Sequence, residues 1–261
     1  MANSIAPVTI VLQPGQLPSR LTTVGWKDPI HIRGTLTDGP AVAIVGARAA
    51  TTVAMRRAHA IARHLAGRQI AVVSGGALGI DGAAHRGALA GGGPTTVVLG
   101  SGVDVAYPDR HAHLFRQILG SGGALVSMLP DGTHPTRYTF LKRNPLIAAL
   151  ADVVIVVEAD VRSGSLSTAR AATQLGRVLA AWPGSRGCDR LIARGAAVVE
   201  RVEDVDLALA GTPRFVEPVV LDPETTLVRD AIAAGACGVD AIVEHTSLSV
   251  RHVLRALARL P

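Results

Sequence analysis

From residue 41 onward the chain alternates between two hydrophobic patterns. Short β-branched runs without polar interruption lead into glycine-rich loops, and each loop leads into an Ala/Arg/Leu-rich stretch with helical spacing. The runs predict strands at Val42–Val45, Ile70–Val73, Thr96–Leu99, Ala124–Ser127, Val153–Val157, Val178–Ala181 and Ala196–Val199. Helices are expected at about Thr52–Ala66, Gly82–Ala90, Asp109–Leu119, Pro145–Leu150, Leu166–Leu175 and Asp189–Ala193. Val153–Val157 is apolar at every position, as a strand covered on both faces of a parallel sheet must be. Regular alternation with short connections implies right-handed βαβ crossovers. The expected fold is therefore α/β, an extended Rossmann-like, doubly wound, mostly parallel sheet.

The ends read differently. Residues 1–40 are broken by Pro7, Pro14, Pro18, Pro29 and Pro40 and predict an extended lead-in packed on the core at 41–211. Residues 212–222, with Pro213 and Pro218, read as a linker. Residues 223–261 carry three short helical patterns, about Glu224–Ala234, Val239–His245 and Ser249–Leu260, with Ser249 as an N-cap. Three short helices suggest a helix-turn-helix module. A small cap or dimer arm is the alternative, favoured by the segment's acidic balance and by the lack of a wing after its last helix.

Four loops at carboxyl ends of strands or helix starts have chemistry suited to phosphate. The first offers Gly46 for close backbone approach and Arg48 as a planar fork. The second, with Ser74, Gly75, Gly76 and Gly79, exposes successive N–H groups, and Asp81 sits where it can cap a helix or hold a ribose. His85, one turn on, shares a face with Asp81; a structural pair is expected over a metal or acid–base role, because no third ligand has useful spacing. The third places Lys142 and Arg143 before Asn144 as N-cap and Pro145 as first helical residue, with Phe140 free to stack on a base. The fourth, Ser163-Gly164-Ser165 with Thr168, has the hydroxyls and glycine of a phosphate cradle, and Glu158 stands at the preceding strand end to accept from a ribose or base. Ordinary βα turns and N-caps explain each loop singly; together they mark one edge of one sheet.

Charge sharpens this picture. The chain carries 26 basic and 20 acidic side chains, net +6. Residues 221–261 hold four basic and five acidic ones, so the excess lies in residues 1–220, where a polyanion would bind. Only 3% of residues are aromatic, too few for an extended base-stacking platform. Cys188 and Cys237 lack framework or metal spacing and read as free thiols of a reducing cytoplasm. No apolar run reaches membrane-spanning length and no secretion signal opens the chain, so a cytoplasmic protein is expected.

In order along the chain stand VGAR at Val45–Arg48, SGGALGIDGAAH at Ser74–His85, GSGVDVAYP at Gly100–Pro108, FLKRNPLIA at Phe140–Ala148, VVEADVRSGSLSTA at Val156–Ala169, and PGS followed by GCDRLIARGA at Pro183–Ala196. This succession resembles the DprA/Smf family of bacterial DNA-processing proteins, and the C-terminal helices resemble its winged-helix-like end. The resemblance implies a single-stranded DNA-binding homodimer that protects incoming DNA and helps load a RecA-type recombinase in transformation, without catalytic turnover, cofactor or metal. It assigns phosphate contacts to Arg48, Lys142, Arg143 and the Ser163–Ser165 loop, and a base or sugar contact to Phe140 or Asn144. The chain departs from the family pattern at Ala47, in Ser127-Met128-Leu129-Pro130 and at Pro145. Those changes would suit a sensor of a nucleotide-derived small molecule, and Rossmann-like relatives of the family keep a nucleoside-monophosphate phosphoribohydrolase open as another reading. The second lacks the glutamate its loop would need after Thr168.

Overall fold

A computed structural model describes residues 8–216 and 222–260. They divide into two compact units, within 1–216 and 217–261. The first is built on a nine-stranded sheet in the order β1-β2-β6-β5-β4-β3-β7-β8-β9. Its strands are β1 (Ile10–Leu12), β2 (Ile30–Gly34), β3 (Ala41–Val45), β4 (Ala71–Gly75), β5 (Thr95–Val98), β6 (Ala124–Ser127), β7 (Val153–Val156), β8 (Val178–Ala181) and β9 (Ala197–Val198). The helices are α1 (Ser19–Thr23), α2 (Thr52–Gly67), α3 (Ile80–Ala90), α4 (Ala112–Gly120), α5 (Arg137–Ala149), α6 (Ser165–Gln174), α7 (Arg186–Ile192) and α8 (Asp204–Leu209). No helix among the described residues is long and apolar enough to cross a membrane.

From β3 to β9 the strands are parallel, and their uninterrupted apolar runs have the expected cause. Val42 and Ile44 pack under α2 and α3, while Ala43 and Val45 pack with Leu146 and Ile147 of α5 on the opposite face. All these strand side chains are buried. Burying a side chain such as Ile44 or Ile147 stabilises the fold by about 1.5–3 kcal/mol. Starting from β3, the chain builds β4, β5 and β6 to one side, then returns to lay β7, β8 and β9 on the other. The sheet therefore changes direction at β3, and the connections after β3, β4 and β7 open around a crevice at their carboxyl ends.

Four expectations need correction. The lead-in is not merely extended: β1 and β2 form an antiparallel pair that adds to β6, with His31 opposite Ser127 and Arg33 opposite Leu125. Its prolines lie between these elements and leave both strands intact. Second, α5 starts at Arg137, not Pro145. The Thr136 hydroxyl accepts from the Thr139 N–H at 3.2 Å and the Thr139 hydroxyl accepts from the Thr136 N–H at 2.9 Å, a reciprocal cap that fixes the start two turns early. Asn144 is no N-cap, and Pro145 sits inside the helix, where it has no N–H for the Leu141 carbonyl. Third, the expected helix from Asp109 opens as a 3-10 turn over Asp109–His111 before α4. Finally, the expected linker at 212–222 begins within the first unit. Arg214 bonds Asp204 at 3.0 Å and Glu200 at 3.2 Å, and its carbonyl accepts from the Val198 N–H. Residues 217–221 of that linker lie outside the described residues.

The second unit comprises α9 (Pro223–Ala233), α10 (Val239–Thr246) and α11 (Val250–Leu257) around Val228, Ala231, Ile242, Val253 and Ala256. Asp222 caps α9 by accepting from the N–H and hydroxyl of Thr225, and with Arg259 at 3.1 Å these bonds hold its carboxyl down at about 2. Ser249 caps α11, as its position suggests.

Candidate nucleic-acid interface

The crevice at the sheet's switch point holds a pocket of about 550 Å3. Four arginines line it, Arg48, Arg137, Arg143 and Arg162, against a single carboxylate, Asp81. That imbalance makes it an anion site in chemical terms.

Arg48 projects from the loop after β3, exposed, with its guanidinium carbon 4.8 Å from the centroid of the half-buried Phe140 ring. The loop is braced from behind by Glu158. Its carboxylate accepts from the Thr51 N–H at 3.1 Å and the Thr51 hydroxyl at 2.5 Å, while Thr51 caps α2. Glu158 is thus occupied at a helix N-terminus, where negative charge is favoured. The structure gives it an anchoring place, not the free acceptor's place expected at the strand end.

The second loop is tighter than its composition suggests. Ser74 is wholly buried and donates to the Ile44 carbonyl at 2.5 Å. Ser74 is not among the lining residues, although its hydroxyl lies near enough to the Asp81 carboxylate to help lower that group. A β-carbon on Gly76 would meet the Phe115 ring, so that residue packs backwards too. Gly75 matters differently: a β-carbon there would collide with both the Arg143 guanidinium and the Asp81 carboxylate. At Gly79, φ is +78° and a β-carbon would run into the Ala47 and Arg48 carbonyls, so only glycine lets the first two loops touch. Gly46 likewise faces Ile80 and the Glu158 carbonyl closely.

Asp81 accepts from the Ala77 N–H at 3.3 Å. Burial pushes its carboxyl up to about 6, an effect Arg143 partly opposes. Burial also pulls Arg143 down to about 10, with Asp81 opposing. Both charges are costly to bury, and each offsets part of the other's cost. Arg143 is further fixed by donating to the Val98 carbonyl and, at 3.0 Å, to Asn144 Oδ1. Asn144 in turn donates to the Gly164 carbonyl at 3.3 Å and to Ser167 Oγ at 3.2 Å, tying α5 to the serine loop. In that loop Ser163 Oγ and Ser165 Oγ lie 2.7 Å apart, Gly164 precedes α6, and Thr168 is buried in its first turn. His85 does not pair with Asp81 as expected: it bonds Gly75 and Thr95 in the core, and its burial lowers it to about 4.

The sequence pattern misplaced one cation and missed two. Phe140, Arg143, Asn144 and Ile147 line the pocket, the three- and four-residue spacing of one helix face. Lys142 falls off that face, exposed and outside the lining. Arg137 and Thr136 fall on it, a turn of α5 that the expected start at Pro145 leaves out of the helix. Arg162, ahead of the serine loop, lines it too. Tyr107, inside the GSGVDVAYP run, lines it as well, with its ring 5.4 Å from Phe140 at 44°. The described residues contain no cluster of three metal-ligating side chains.

Comparison with known proteins places this geometry. Residues 9–209 match the family described as DNA recombination-mediator protein A. A DNA processing protein DprA of Mycobacterium tuberculosis is 42% identical over 235 residues, 84% of this chain and 60% of the relative. Protein Smf of Escherichia coli is 39% identical over 196 residues, 72% of this chain and 52% of that protein. The chain thus spans only about half to three fifths of the length of these relatives. Among solved structures, DNA processing protein A of Streptococcus pneumoniae superposes with a TM-score of 0.70 at 32% identity, covering 81% of this chain and 76% of that one. The Helicobacter pylori protein, whose structure is described for its single-stranded DNA binding mode, gives 0.70 at 29% identity over 80% and 99% of the two chains. With its pocket at the switch point of a Rossmann-like sheet and this match over most of its length, the chain belongs to the DprA/Smf family of DNA-processing proteins.

Proposed function

We propose that the chain binds single-stranded DNA in the pocket after β3, β4 and β7, without chemical turnover. It would protect the strand and help deliver it to a RecA-type recombinase, acting as a homodimer in the cytoplasm. The observation that carries the reading is four arginines against one buried acid among the described residues, with the Arg48 guanidinium over the Phe140 ring. Arg48, Arg137 and Arg162 would meet phosphates, joined by the Ser163 and Ser165 hydroxyls and the N–H groups opening α6. Phe140 and Tyr107 would take a base. Arg143, Asn144, Gly75, Gly79 and Asp81 position these groups, and Lys142 would reach only a strand that leaves the pocket. Similarity to the Helicobacter pylori protein supports the choice of ligand.

Titration of a labelled oligothymidylate, followed by anisotropy across a salt series, tests the proposal. Binding that weakens steeply with salt, and that Arg48→Ala together with Phe140→Ala greatly reduces, is the expected result. No binding at low salt, or binding indifferent to both substitutions, overturns it. The pocket's volume also suits a single nucleotide. A nucleotide retained by the purified protein and seen by mass spectrometry would favour a sensor. Release of free base from nucleoside monophosphates would favour a hydrolase.

A further inference from the structure

The pocket is not the end of the basic surface. α2 buries Ala54, Ala58, Ile61, Ala62, Leu65 and Ala66 and turns its cations the other way. It contains no aspartate or glutamate. At its far end Arg68 and His64 share Asp206. No ion pair among the described residues engages Arg56, Arg57 or Arg63. Arg56, His59 and Arg63 follow the i, i+3, i+7 spacing of one helical stripe, and both arginines are exposed.

Beside that stripe lies a shallow groove of about 300 Å3, floored by Val53, Ala60, Val202 and Trp182. The Arg57 guanidinium carbon lies 4.7 Å from the centroid of the Trp182 ring. Apolar floor, flat indole and stacked guanidinium form a surface on which a base can rest, with Arg56 placed for its phosphate. Arg48 of the pocket and Val53 of the groove are separated by only four residues of chain. Glu158, the acid at that junction, is already taken up by Thr51.

We infer that the exposed face of α2, with Trp182, is a second nucleic-acid segment, which receives the single strand as it leaves the pocket. The inference rests on the proposed DNA-binding reading and adds to it a direction for the strand. From Thr52 to Arg63 the helix runs roughly 16 Å, enough for about three to five phosphates. A single-stranded polyanion with bases fits this face better than an acidic peptide, because a carboxylate chain gives the indole and apolar floor nothing to cover.

The experiment compares oligothymidylates of about six and about twenty nucleotides on the full chain. The unaltered protein should bind the longer one more tightly than its extra registers alone explain. The Arg56→Gln/Arg63→Gln variant should bind the short oligomer normally and the long one roughly five- to tenfold more weakly. Its salt slope for the long oligomer should be shallower by about 1.4. Arg57→Gln should reduce the quenching of Trp182 fluorescence by the long oligomer, measured with Trp26 replaced by Phe. Normal length gain and salt slope in the double variant overturn the second segment while leaving the pocket standing. Absence of length gain in the unaltered chain does the same. If neither oligomer binds, pocket and segment fall together. Binding of polyglutamate that needs Arg56 and Arg63, without oligonucleotide length gain, overturns it in favour of an acidic protein partner.

Discussion

Arg48 and Phe140 form a stacked pair across the pocket, one from the loop after β3 and the other from the first turn of α5, with 4.8 Å between guanidinium carbon and ring centroid. The ring shields one face of the cation and leaves its edges free for phosphate oxygens. Arg48→Lys keeps the charge but loses the planar fork. It should therefore weaken binding of a short oligothymidylate by about 1–2 kcal/mol while changing the salt slope little. Arg48→Ala should lower the slope as well. A Lys variant that binds as the unaltered chain does would show that only charge counts.

Gly79 sets the distance between the first two loops. Gly79→Ala must bring a side chain to φ +78° and into the Ala47 carbonyl. It should cost about 2–4 kcal/mol of stability in urea unfolding, from backbone strain plus the steric clash. Gly132 has a similar φ, +79°, but open space around it. Gly132→Ala should therefore cost only about 1 kcal/mol, and the difference between the two isolates the contact.

Asp81 and His85 make opposing demands on pH. The Asp81 carboxyl rises from its ordinary 3.8 to about 6, so the folded chain binds more protons than the unfolded one between those values. Its contribution is present below about pH 4 and is lost as the pH rises through 6. His85 falls from its ordinary 6.5 to about 4, so its contribution is present above 6.5 and is lost as the pH falls through 4. Each amounts to about 3 kcal/mol, and across pH 4–6 they nearly cancel. The unaltered chain should show almost the same Tm at pH 4.5 and pH 6 as far as these two groups are concerned. Asp81→Asn leaves His85 unopposed, and its Tm should fall steeply as the pH is lowered from 6 to 4.5. Parallel profiles for the two proteins would refute the coupling.

Thr136 decides where α5 begins. Thr136→Ala should cost about 1 kcal/mol of stability and loosen the turn that carries Arg137 into the pocket. Oligonucleotide affinity should fall with it, although Thr136 itself bears no charge. Thr136→Ser keeps the cap and should restore both.

Much of this was readable along the chain. β6 and β8 match their expected limits, and the loops after β3, β4 and β7 do meet at one edge, because buried parallel strands announce themselves by unbroken apolar runs. The start of α5 was hidden because Pro145 is a stronger local signal than a threonine pair two turns earlier, and the error carried Arg137 out of view and Lys142 into it. Ser74 shows a different limit. A hydroxyl beside glycines suits a phosphate loop, yet only the neighbouring strand reveals that the Ile44 carbonyl has claimed it. Glu158 shows the same limit, because its partner Thr51 lies more than a hundred residues away in sequence.

The antiparallel strands at the rim carry a consequence for timing. β2 has no partner but β1 until β6 is in place, and the chain makes β3, β4 and β5 in between. Closing so large a loop is entropically expensive, so docking of the rim belongs to the late stages of folding. In the folded protein the same rim should open first, since β1 is three residues long and mostly exposed. Amide hydrogen exchange should be faster at Ile10–Leu12 than at Ala41–Val45 by orders of magnitude. The pair of strands made first in synthesis thus joins the sheet late.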